Sequence, residues 1–327
     1  MPELVIIDNR SLTNPENKFT SNYLKAMIDD FEFECPYLCS NKSDYKKSHD
    51  TQIDLESEIF YYYIDQTASN AKPLTDVAKR TAIRKDFENI VSKKDPKITG
   101  INFYYDSNHV DERTRQLSLE IQTELQTTFL SDMEPDKNQS ASEFERQLDN
   151  FLEMETDQIK CPTISLRTEN PELFQEKIKL VIKKEFKAFN VEWGGFSQFP
   201  RNMSILSSEL ANKKILCNII SVKPLRSNAP PFASNHILAG LIGPHLISPG
   251  YVRPNTKLPA IMPPGKIFNT HTWCYEESER PRNIIHIESN NLIFNSLREI
   301  GLAVVDQTPH SDFVPQEFQL NHKTRGF

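Results

Sequence analysis

Residues 161–193, CPTISLRTENPELFQEKIKLVIKKEFKAFNVEW, decide the fold class. Cys161–Arg167 alternates apolar and polar residues, which predicts a strand. Asn170, Pro171 and Glu172 then occupy an N-cap, a first helical position and a first turn, and each residue type is favoured there. The helix they open runs through NPELFQEKIKLVIKKE and gives way to a second strand, FKAFNVEW. Beyond it, NMSILSSELANK reads as a helix and KILCNIIS as a third strand. Strands alternating with helices in this way predict βαβ units and a parallel sheet.

The alternation extends outward in both directions. Candidate strands fall at 4–8, 57–64, 98–105, 161–167, 187–192, 214–221, 236–242, 265–271 and 301–306. Helical patterns occupy ENKFTSNYLKAMIDDF, LTDVAKRTAIRKDFENIVSK and HVDERTRQLSLEIQTELQTTFL, and residues 36–56 read as a long polar loop. The expected architecture is an α/β fold of (β/α)8 barrel type, with one strand over-counted; an open doubly wound parallel sheet is the alternative. Residues 131–158 are acidic and end in a helix, SEFERQLDNFLEME, opened by a Ser-x-x-Glu pattern. The expected organisation is a single domain over 1–327. It carries a helical insertion at about 111–158, acidic near 131–158, and a proline-rich irregular region at about 224–264.

Composition narrows the class. The net charge of −7 over 327 residues argues against general nucleic-acid binding, which needs clustered lysine and arginine. Five cysteines at scattered spacings fit reduced thiols better than a disulfide framework. The start, MPELVIIDNR, lacks the pattern of a signal peptide, and no apolar run is long enough for a transmembrane helix. A soluble, cytoplasmic protein is expected, or one delivered to a host cytosol without a cleaved signal. The expected partner is a small-molecule substrate, with a protein partner possible at the acidic helical region; no cofactor is expected.

In either architecture functional groups collect at the C-terminal ends of parallel strands. Glu192 ends FNVE and Asp106 ends INFYYD, and together they are the candidate acid/base or nucleophilic carboxylates. His271, after IFNT, would assist. Arg167 and Lys223 suit an anionic group on the substrate, and Trp193 and Trp273 offer rings for a sugar face or a nucleobase. Each has a plainer reading as a surface ion pair or a core ring. The expected function is a hydrolase or group transferase acting on a polar, possibly anionic, sugar- or nucleoside-like substrate. A non-catalytic interaction protein on the same scaffold is the alternative.

Other patterns are weaker. His310-Ser-Asp312 has the H-x-D spacing of some non-haem iron sites but lacks a well-separated third ligand, so no metal is expected. Cys161–Arg167 has a C-x5-R spacing without the glycines of a phosphate-wrapping loop. No P-loop, GxGxxG or GxSxG is present. VIIDNRSLT resembles the first motif of haloacid-dehalogenase-like phosphatases, which implies a phosphatase built on Asp8 as a second alternative. Arg10 stands where that motif has its second aspartate.

Overall fold

The computed structural model describes residues 2–15, 19–65, 73–104, 110–193, 199–223, 232–250, 264–316 and 318. The chain opens with an antiparallel meander of β1 (Leu4–Thr13), β2 (Thr20–Ile28) and β3 (Phe31–Cys35), paired in that order. Two expectations are corrected here. ELVIIDN is not a buried parallel strand: it belongs to β1, an antiparallel edge strand with Val5 37% and Ile7 47% exposed. ENKFTSNYLKAMIDDF is largely β2 rather than a helix. β2 is covered on both faces, so period-two alternation is lost, and Tyr23, Leu24, Met27 and Ile28 imitate helical spacing.

Strands and helices then alternate. β4 (Tyr37–Leu38) leads to α1 (Lys42–Thr51), and β5 (Ile59–Asp65) to α2 (Val77–Lys94). β6 (Ile98–Tyr104) leads to α3 (Glu112–Glu124), and β7 (Phe129–Asp132) to α4 (Ala141–Glu153). β8 (Ile159–Ser165) leads to α5 (Pro171–Lys183), and β9 (Ala188–Glu192) to α6 (Pro200–Leu210). β10 (Leu216–Val222), the short β11 (Phe232–Ala233), α7 (Asn235–Leu241) and β12 (Leu246–Pro249) complete the alternation. The last segment holds β13 (Gly265–Asn269), β14 (Cys274–Ser278), α8 (Arg282–Val305) and α9 (His310–Phe313).

Six strands form one parallel sheet in the order β4-β12-β10-β9-β8-β7. β5 and β6 form a separate parallel pair. Both edges of the large sheet abut that pair. At one, Ser40 bridges Phe60, its N–H donating to Ile59 O and its carbonyl accepting from Tyr61 N, each at 2.9 Å. At the other, side chains replace the main-chain ladder: Thr99 N donates to Thr128 Oγ1 at 3.1 Å and Thr128 N to Thr99 Oγ1 at 3.2 Å. The described chain is therefore a mixed α/β protein built on a six-stranded parallel sheet with helices.

Local chemistry explains which segments became which elements. Asn41 caps α1 and exchanges bonds with Asp44, so the polar stretch read as a loop forms a helix. Ser140 and Glu143 make a capping box for α4, the expected spacing set two residues earlier. Residues 236–242 lie mostly in α7, whose seven residues are all buried and so present no polar face to mark a helix. Residues 265–271 contribute β13, antiparallel to β14, and 301–306 fall at the end of α8. The stretch 111–158 holds α3, β7 and α4, and β7 joins the parallel sheet. Residues 224–231 and 251–263 of the proline-rich region lie outside the described residues. Among the described residues, no helix is long and apolar enough to cross a membrane.

Candidate active site

β8, β9 and β10 run side by side, and their C-terminal ends carry the densest polar chemistry of the sheet. Thr163, Asn190 and Asn218 are register partners across the three strands and therefore share one face. Ser131 on β7 and Ser248 on β12 extend the row. Asn190 Nδ2 donates to Ser131 Oγ, Asn218 Nδ2 to Asn190 Oδ1, and Ser248 Oγ to Asn218 Oδ1, each at 3.0 Å. The result is a belt of neutral hydrogen bonds across the polar face.

Glu192 stands two residues above Asn190 on that face. It is 5% exposed, and its Oε2 accepts from Ser165 Oγ at 3.0 Å. Burial raises its pKa; the nearby Arg167 guanidinium, the Ser165 hydroxyl and Lys137 pull the other way. A second carboxyl lies behind Ser165. Glu134 Oε2 accepts from Ser165 N at 2.5 Å, and its Oε1 accepts from Lys177 Nζ at 2.7 Å. Lys177 is wholly buried on α5, donates also to Lys137 O at 2.8 Å, and lies 5.5 Å from the centre of the Phe144 ring. Burial pushes Glu134 up to about 7, opposed by the Lys177 ammonium. Two buried carboxyls thus meet at one serine, Glu192 on its hydroxyl and Glu134 on its amide.

The other side of the polar face is set by β5 and β6. Gly100 pairs with Tyr61, and a Cβ at Gly100 would overlap the Tyr61 ring, so the ring lies across that strand. It continues to a stacked contact with Phe129 at 6.2 Å between centroids. One step up, Tyr63 pairs with Asn102. The Tyr63 hydroxyl is hydrogen-bonded to the Ser221 hydroxyl on β10. Ser221 breaks the alternation of β10: its φ is +68°, and the register with β12 shifts between Ile219 and Val222.

The residues singled out in the sequence divide. Glu192, Arg167, Trp193 and Lys223 follow one another at the ends of β8, β9 and β10. Arg167 is half-buried and donates its N–H to Ser165 Oγ at 3.2 Å; Lys223 is exposed. Trp193 is 5% exposed, and its N–H continues the ladder to Ile220 O at 2.9 Å. Asp106 lies outside the described residues.

Three residues are placed elsewhere. Asp8 sits on antiparallel β1, ion-paired with Arg10 at 3.0 Å, far in the topology from any parallel strand end. His271 and Trp273 belong to the turn between β13 and β14, because IFNTH ends an antiparallel strand. His271 is exposed, while Trp273 is buried edge-on against Phe318 at 5.6 Å. His310 is held by Ser21 at 2.9 Å, and among the described residues no group of three or more His, Cys, Asp or Glu is arranged to hold a metal ion.

Glu134, Lys177, Ser165 and the asparagine belt escaped the sequence reading. A signal was present for Lys177: it shares the apolar face of α5 with Phe174, Ile178 and Val181, where a charge must be paired if it is buried. Asn190 and Asn218 likewise interrupt otherwise apolar strands.

No protein-family model matches the chain, and no curated protein does. Among solved structures, it is similar to the C-terminal domain of a putative chitinase from Desulfitobacterium hafniense DCB-2. That likeness is at 9% identity and a TM-score of 0.24, covering 54% of this chain and 49% of that one. The chain thus spans about half the length of that domain. It is also similar to a probable tagatose 6 phosphate kinase from Sinorhizobium meliloti 1021, at 10% identity and a TM-score of 0.37, covering 88% of this chain and 92% of that one. At scores this low neither likeness bears on the fold or the activity.

Proposed function

We propose that the eight parallel strands, six in the large sheet and two in the β5–β6 pair, close into a (β/α)8 barrel whose mouth is the active site of a hydrolase or group transferase. The bond between Tyr63 and Ser221 supports closure. Counting through β4 and β12, β5 and β10 are three strand positions apart, about 14 Å on a flat sheet at roughly 4.8 Å per strand. Two side-chain hydroxyls meet over that separation only if the sheet curls strongly.

The observation that carries the enzymatic reading is Glu192. A carboxyl that is nearly inaccessible, raised in pKa by burial and placed at the end of a central parallel strand suits the role of general acid. The substrate class is polar, sugar- or nucleoside-like. Glu192 donates its proton to the leaving oxygen or nitrogen as the glycosidic bond breaks. Water, or a second hydroxyl in transfer, supplies the oxygen that bonds to the anomeric carbon, and its proton restores the carboxyl through a base. Asp106 is the second carboxylate of this reading. Ser165 orients Glu192, and Arg167 holds an anionic substituent where the substrate carries one.

The test is a panel of activated aryl glycosides and nucleosides, assayed for leaving-group release with wild-type protein and Glu192→Gln. The expected result is turnover of at least one member, with kcat lowered about 10²- to 10⁴-fold by the substitution and the melting temperature unchanged. Equal kcat in the two proteins would remove Glu192 from the chemistry.

A further inference from the structure

The belt on the polar face consumes its hydrogen-bonding groups in pairs: Ser131 with Asn190, Asn190 with Asn218, Asn218 with Ser248. Asn102 on β6 does not join it. It is 1% exposed, and neither its Oδ1 nor its Nδ2 has a hydrogen-bond partner. Among the described residues no other side chain has two buried polar atoms both unpartnered. The one below it in β5, Tyr61, has an unpartnered buried hydroxyl as well. Buried amides are almost always paired, since an unmade bond there leaves a desolvated donor and acceptor without compensation.

The position of Asn102 is defined on both sides. Its register partner is Tyr63, whose hydroxyl reaches Ser221 across the polar face. Three residues up from the mutually bonded Thr99 and Thr128, Asn102 stands beside Ser131, the end of the belt. From β6 to β9, where Glu192 projects from the same face, the sheet crosses three strand spacings, about 14 Å at roughly 4.8 Å each.

We infer that the Asn102 amide is the recognition group for a nucleobase. The inference rests on the proposed function and names its substrate class as a nucleoside. An amide offers one acceptor and one donor side by side in a plane, and it pairs with a heterocycle edge that presents the complementary donor and acceptor, as asparagine does with adenine N6 and N7. Among the described residues, the buried unpaired side-chain groups on β5 and β6 at this face are one amide and one tyrosine hydroxyl. A sugar hydroxyl meets such an amide at one atom, whereas a base edge meets its donor and its acceptor together. A flat ring with one polar edge matches the unpaired donor and acceptor of Asn102. The Tyr61 ring, lying across Gly100 below Asn102, provides its floor.

The test measures binding, without turnover, by titration calorimetry on the full chain with adenosine, guanosine, cytidine and uridine, and with methyl pyranosides as the contrasting arm. At least one nucleoside is expected to bind. Asn102→Leu, which removes the unpaired amide at similar volume, is expected to weaken that binding at least tenfold with an unchanged or higher melting temperature. Asn102→Asp, which accepts but does not donate when ionised, is expected to change the order of preference among the four bases. Turnover is followed separately in wild type and Glu192→Gln, so loss of chemistry and loss of base recognition are read in different measurements. Absence of nucleoside binding, binding of pyranosides in its place, or an unchanged affinity in Asn102→Leu would each overturn the inference.

Discussion

At the residue scale the molecule concentrates its risk at Glu134 and Lys177, a charge pair removed from water on both sides. Above about pH 7, where Glu134 is ionised, breaking such a pair leaves one uncompensated buried ion, which costs about 3–5 kcal/mol. Lys177→Met is expected to show a loss of that size in urea denaturation, and adding Glu134→Gln to it to recover a substantial part; no recovery would mean the two side chains act independently. The pair also has a pH signature. Glu134 titrates at about 7 in the folded chain against 4.5 as its ordinary value, so between the two the folded state holds a proton that the unfolded state has released. Its contribution to stability is therefore fully present below about 4.5 and is lost as pH rises through about 7. The difference in melting temperature between wild type and Glu134→Gln should shift toward wild type as pH falls; a difference independent of pH counts against this assignment. Glu192 could be read in the sequence because it ends a strand. Glu134 could not, since it follows a four-residue strand in a stretch that reads as an acidic loop.

At the element scale, helices were legible where their starts are chemically marked. Asn170 and Pro171 announce α5, and Asn170 Oδ1 does accept from the N–H groups of Glu172 and Leu173. Ser140 performs the same task for α4, and Ser140→Ala is expected to cost about 1 kcal/mol, measurable as a lowered chemical-denaturation midpoint with an unchanged slope. An unaltered midpoint would show that α4 is held by packing alone, through Phe144, Leu148 and Phe151. Elements buried on all sides were not legible. α7 has no polar face and β2 no alternation, so periodicity gave each the wrong type. β4, β7 and β12 are too short for any period to register.

At the scale of the whole molecule the parallel run from β8 to β10 was legible because three strands and two helices repeat one pattern. How the large sheet meets the β5–β6 pair was not, because each junction depends on two hydrogen bonds that leave no period in the sequence. The joint between β6 and β7 depends on two threonine hydroxyls, each accepting the other strand's N–H. Thr128→Val leaves the Thr99 N–H without that acceptor and is expected to cost about 1–3 kcal/mol, with faster amide exchange at Thr99. Unchanged exchange there would mean that the two strands are not coupled through this contact. The same region shows how a missing atom can govern what a protein admits. Gly100 has no side chain, and the Tyr61 ring occupies the space one would need. A methyl group added at residue 100 would displace that ring from its place beside Asn102 while leaving every polar group around it intact. The surface beneath Asn102 would then be adjustable from a position that carries no side chain of its own.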